Sequence, residues 1–266
     1  MMDMSDVFTK FKIRKVVLIY VLVPLIIGLM NHGLKWDAQL EELFCNLIII
    51  LYFVKEIDDK QILVNVYKDF LVKFDWKIII QMLAVMLFLL GVVFVIVYGL
   101  EQWFPNIGGE IDKTLSKHFH TASTFSKICL AVRVSLITPI VEELIFRGVM
   151  LNRLSQRWGV KAGIVISSLL FALIHAEPFG KVFFAIFMCL LYLSTRNILF
   201  PIMVHSLNNL IGVIVLLTLP GNTTVIDGAV DETVLLWVGL FLIIITLPIV
   251  IKFVKQTWPR DQRVLD

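Results

Sequence analysis

Residues 78–100 run for 23 positions without one charged side chain. A helix of that length spans about 34 Å, and the hydrocarbon core of a bilayer is about 30 Å thick. Inside lipid every backbone N–H and C=O must be satisfied within the structure, so such a run is read as a membrane helix. Further apolar stretches lie at 16–30, 40–54, from 127 onward, 161–176, 182–194, 201–219 and 234–251. The chain is 59% hydrophobic and 17% charged, against about 45–50% and about 25% in soluble domains. The sequence therefore predicts an all-α polytopic membrane protein with about eight transmembrane helices. Residues 1–266 read as a single integral membrane domain.

An even number of spans puts both termini on one side, and the basic residues choose the side. With the N- and C-termini cytoplasmic, three quarters of the 24 lysines and arginines fall on inner segments, as the positive-inside rule expects. The basic flank from Lys10 to Lys15 has no small-residue cleavage site after the apolar run, so a first membrane helix is expected rather than a removed signal peptide. Residues 55–77 space Ile62, Leu63, Val66, Phe70, Leu71 and Phe74 by three and four, which predicts an amphipathic helix on the inner surface. Residues 101–125 read as the longest outer loop, with His118 and His120 solvated in it, and Asp227, Asp231 and Glu232 lie on another outer segment. Cys45, Cys129 and Cys189 show no metal or disulfide spacing and read as small buried hydrophobes. A net charge of +3 spread in this way points to the lipid bilayer as partner and to no nucleic acid. Oligomeric state is left open.

Against this background the stretch Val141-Glu142-Glu143-Leu144-Ile145-Phe146-Arg147 is out of place. A charge at bilayer depth costs at least roughly 2.5–3.5 kcal/mol, so an intramembrane cluster is a functional hypothesis by default. Glu143 and Arg147 share a helix face at i,i+4 and can pair locally, either as a structural ion pair or as part of a site. Glu142 sits about 100° round the helix and needs a partner from elsewhere. His175, His205 and Asn209 are on offer.

Depth permits the meeting. Counted from the turn at Trp158-Gly159, Glu142 is about 24 Å up one helix and His175 about 22 Å up the next. His205 and Asn209 share a face of the span that starts at Pro201. Taken singly, each has a plainer reading: His175 as a satisfied core histidine, Phe171 as core packing, and His205 and Asn209 as interhelical hydrogen bonders, a task Asn208 could share. The Gly159 and Gly163 pair reads as a turn and a close helix contact. As a set, the carboxylates, histidines and asparagine favour chemistry.

The pattern Glu142-Glu143-x-x-x-Arg147, Phe171-x-x-x-His175, His205-x-x-x-Asn209 resembles the three-motif signature of the CPBP family. These are intramembrane proteases of the CAAX-protease and bacteriocin-processing type, also called Abi. The similarity covers about residues 125–215. It implies an eight-helix fold with a polar cavity toward the cytosol, and hydrolysis of peptide bonds in membrane-associated or short peptide substrates. On that resemblance Glu142 is the general base, His175 holds the water, and His205 and Asn209 stabilise the oxyanion. Arg147 orients the glutamates and Glu143 supports the site. The same set, Glu142, His175 and His205, suits a divalent metal such as zinc, and a metal-free glutamate mechanism suits it equally.

Two rivals stay open: a non-catalytic scaffold of the same fold, serving bacteriocin self-immunity or envelope regulation, and a small transporter with a Glu/His proton relay. No inverted repeat or pair of broken helices supports the transporter. The Lys- and Ile-rich style fits a bacterial cytoplasmic membrane, and favours peptide maturation, signalling or immunity over a prenylated CAAX substrate.

Overall fold

A computed structural model describes residues 4–103, 123–175, 178–218 and 232–260. Among them all regular structure is helical. The expected outer loop with His118 and His120, and the acidic Asp227 and Asp231, lie outside the described residues.

The first helix carries no periodic signal in the sequence. α1 (Met4–Lys10) buries Val7 and Phe8 against the core, where only a basic flank had been expected. α2 (Ile13–Leu34) and α3 (Ala38–Glu56) follow as a hairpin, and Asp37 caps α3 by accepting from the Gln39 and Leu40 amides. α4 (Gln61–Lys73) is the amphipathic helix. It is tied to the core by Phe70, whose ring meets that of Phe200 at a tilt with centroids 4.8 Å apart, and by Asn197, which donates to the Val66 carbonyl and to Asp69.

α5 (Trp76–Trp103) carries the longest uncharged run and packs along α10 (Glu232–Thr257). Their backbones almost touch: a Cβ on Gly91 would stand 2.6 Å from the Gly239 carbonyl, and one on Gly239 would stand 2.8 Å from the Gly91 carbonyl. Small residues at such a crossing let membrane helices approach for van der Waals contact where lipid offers no hydrophobic driving force.

The core lies in α6 (residues 124–158), α7 (Val160–Leu173), α8 (Pro178–Thr195) and α9 (Leu199–Thr218). Ser123 caps α6 by accepting from the Ser126 amide. Gly159 turns α6 into α7 with φ 86°, a left-handed conformation that side chains resist, and Gly163 lies against Ser155 so closely that no Cβ would fit. Helices thus stand at every predicted span position.

Four of them are long and apolar enough to cross a bilayer: Ile13–Leu34, Trp76–Ile96, Pro178–Thr195 and Thr233–Thr257. Val160–Leu173 and Leu199–Ile214 are apolar but shorter. The chain is a multi-pass membrane protein.

Candidate active site

α6 is not a uniform helix. Two π-helical stretches, Arg133–Ile137 and Leu144–Leu151, flank the short α-helical piece Thr138–Glu143 that ends on the two glutamates. Wide turns of this kind are rare and gather at functional sites. Pro139 explains the first. The Thr138 amide goes to the Arg133 carbonyl, and Pro139 has no N–H to give, so the Val134 carbonyl loses both helical donors it could have had. The Asn209 side chain reaches across from α9 and donates to it at 3.0 Å. The second wide turn is satisfied similarly. There the Asn152 backbone N–H turns to Val149, and its side-chain amide takes the carbonyls of Arg147 and Gly148.

Glu143 and Arg147 are fully buried and pair at 2.9 Å. A single atom, Glu143 Oε1, also meets His205 Nδ1 at 2.7 Å. Arg147 spends a second nitrogen on the Ala185 carbonyl, at 3.3 Å, and stands over the Phe171 ring, 4.6 Å from its centroid. A buried cation therefore has a carboxylate, a carbonyl and an aromatic face, the kinds of partner a charge needs once water is removed.

Glu142 faces another way. Its carboxylate is buried yet makes no hydrogen bond among the described residues. Its Oε2 lies 3.9 Å from His175 Nε2 and 3.7 Å from His205 Nε2. Tyr20, half-buried on α2, is within electrostatic range of Glu142 and brings a second helix to this side of the site.

The motif spacing in α7 has a direct cause. The helix ends at Leu173, earlier than the expected 176, because the His175 amide folds back to Ala172. The Phe171 carbonyl, the normal partner of that amide, instead receives His175 Nδ1 at 2.7 Å. A carbonyl only accepts, so Nδ1 carries the hydrogen and a neutral ring presents the Nε2 lone pair toward Glu142. Phe171, fully buried, holds the His175 ring at a centroid distance of 4.4 Å.

The structure thus gathers Glu142, Glu143, Arg147, His175 and His205. Asn209 lies one turn beyond His205 on α9, bonded to Val134 rather than to a carboxylate, and Asn208 donates to its side-chain oxygen at 3.3 Å.

Residues 124–211 match a family model described as type II CAAX prenyl endopeptidase Rce1-like. That segment is similar to the Rce1-like family. It contains every candidate residue of the three motifs, agrees with the CPBP resemblance, and spans about a third of the chain. No curated protein and no solved structure matches the chain.

Within the matched segment, Glu142, His175 and His205 supply donors of the type zinc prefers. Among the described residues, however, no group of three or more His, Cys, Asp or Glu side chains is arranged to hold a metal ion. The sequence had signalled the charged residues and the histidines. It also contains Pro139, Asn152 and Tyr20, whose parts the motif spacing does not reveal; the proline inside an apolar span is the legible signal.

Proposed function

We propose that this protein is an intramembrane endopeptidase that hydrolyses peptide bonds of membrane-associated or short peptide substrates. The observation that supports it most is the division of labour between adjacent glutamates. Glu143 gives one oxygen to both Arg147 and His205, whereas Glu142 is buried, without a hydrogen bond among the described residues, and turned toward two imidazole nitrogens. A carboxylate kept out of the packing but close to proton carriers is suited to general-base work.

In the proposed reaction a water lies between Glu142 and His175. Glu142 takes its proton as the oxygen attacks the carbonyl carbon, and a tetrahedral intermediate forms. Its oxyanion is stabilised by Nε2–H of His205 in its imidazolium form, whose Nδ1–H is held by Glu143, and by the amide hydrogen of Asn209 that Val134 leaves over. The C–N bond then breaks, and the proton held by Glu142 passes to the leaving amine. Each well-placed oxyanion donor contributes about 2.7–4 kcal/mol. No step runs through a metal.

The proposal includes eight spans, cytoplasmic termini and a bacterial cytoplasmic membrane. Substrates are maturing, signalling or immunity peptides. The experiment is cleavage of fluorogenic membrane peptides by purified protein in detergent, comparing wild type with Glu142→Gln and His175→Ala, with and without a chelator. Cleavage that both substitutions abolish and chelation leaves intact supports the mechanism. Chelator sensitivity overturns its metal-free form. A cellular function that survives Glu142→Gln overturns catalysis in favour of the scaffold.

A further inference from the structure

Away from the glutamates, a cavity of about 610 Å³ opens where the start of α2 meets the end of α6. Its charged lining is Lys12, Arg14, Arg153 and Arg157, and Trp158 forms part of the wall. The four cations come from two regions about 140 positions apart, so the fold assembles them; a merely basic loop would not. Among the described residues no carboxylate pairs with any of the four. Lys15, beside them but outside the lining, has Glu56 at 3.8 Å.

Two further features favour an anion. Lys12 is the N-cap of α2 and no side chain caps that end, so the first amides of a 22-residue helix point out beside the cations with the positive end of its dipole. Arg153 is not a loose surface group: it donates to the Thr9 carbonyl at 2.8 Å, fixing it between α1 and α6.

We propose that this cavity binds a phosphate-bearing anion. The volume is that of an ordinary ligand pocket, and guanidinium groups match phosphate oxygens in pairs. A lipid headgroup and a free phosphate share this chemistry. The surroundings suit the lipid: Val17 and Leu18, just past Arg14, are exposed along α2, and exposed Trp158, with Arg157 stacked 5.1 Å from its ring, is the residue that settles at headgroup level. Basic pockets between membrane helices take anionic headgroups in this way.

The test uses the purified full-length protein, with phosphatidylglycerol and phosphatidylcholine as lipid probes read by native mass spectrometry, and inorganic phosphate read by calorimetry. Wild type should retain phosphatidylglycerol over phosphatidylcholine. Arg14→Gln with Arg157→Gln should weaken it about thirtyfold, from two lost cations near a headgroup. The corresponding double change to lysine should restore most of it. Should the double glutamine protein fail to fold, Lys12→Gln alone should cost about fivefold. Binding of inorganic phosphate alone, with the same charge dependence, supports the site and assigns it to a soluble ligand. If wild type binds neither probe, or the neutralised proteins bind like wild type, the proposal is overturned.

Discussion

His205 reaches Glu143 across 62 positions of chain, Nδ1 to Oε1 at 2.7 Å, inside a site where both side chains are almost wholly enclosed. That bond locks α9 to α6 and leaves the other imidazole nitrogen on the side of Glu142. Two carboxylates that are neighbours in sequence thus have different tasks, and they should fail differently.

Glu142→Gln should lower kcat by about 10²- to 10⁴-fold, the usual worth of a positioned general base. The unfolding midpoint in detergent should stay where it is, because no hydrogen bond among the described residues depends on this carboxylate. A large loss of stability in this variant would contradict the assignment.

Glu143→Gln should lose both activity and stability. It leaves Arg147 enclosed without its counter-charge, and breaking a buried pair from one side costs about 3–5 kcal/mol. Thermal unfolding of the two glutamine variants side by side should rank Glu143→Gln well below Glu142→Gln.

Asn209→Ala strips the half-buried Val134 carbonyl of its donor and should cost about 0.5–1.5 kcal/mol, the usual net worth of one hydrogen bond. Adding Pro139→Ala returns an N–H to the helix at the position where one is missing. The double variant should regain stability but not turnover, since the amide proposed for the oxyanion is still absent. Recovery of both would reduce Asn209 to a structural role.

Gly91→Val drives a side chain into the Gly239 carbonyl and should destabilise by about 1–3 kcal/mol through overpacking. KM should hold in the fraction that stays folded, because α5 and α10 supply none of the motif side chains. A changed KM at full stability would place this helix pair in the substrate path.

What the sequence made legible was periodic or local. The i,i+4 pairing of Glu143 with Arg147, the amphipathic α4 and the approach of His175 to Glu142 all follow from helix geometry, and all are present. What it hid depends on exchanged backbone partners. That His175 would use its ring in place of its own amide, or that Asn209 would serve a carbonyl freed by Pro139, is visible only once two helices are side by side. α1 was hidden because Val7 and Phe8 are too few for a periodic signal, and their burial depends on Gly148 leaving room for the Phe8 ring.

The wide turn over Leu144–Leu151 makes the site a matter of counting. Each residue advances a helix by about 100°, and a wide turn holds one residue more than an ordinary one, so losing a position there would close the turn, whereas losing one beyond it would swing everything after it by that angle. The closed turn would take back the carbonyls that Asn152 serves and leave its buried side-chain amide with Tyr192 alone. Descendants of this protein can therefore exchange lipid-facing side chains on α6 freely, but a single-codon deletion between the glutamates and Trp158 should be purged. Insertions and deletions, more than substitutions, should trace where selection holds this helix.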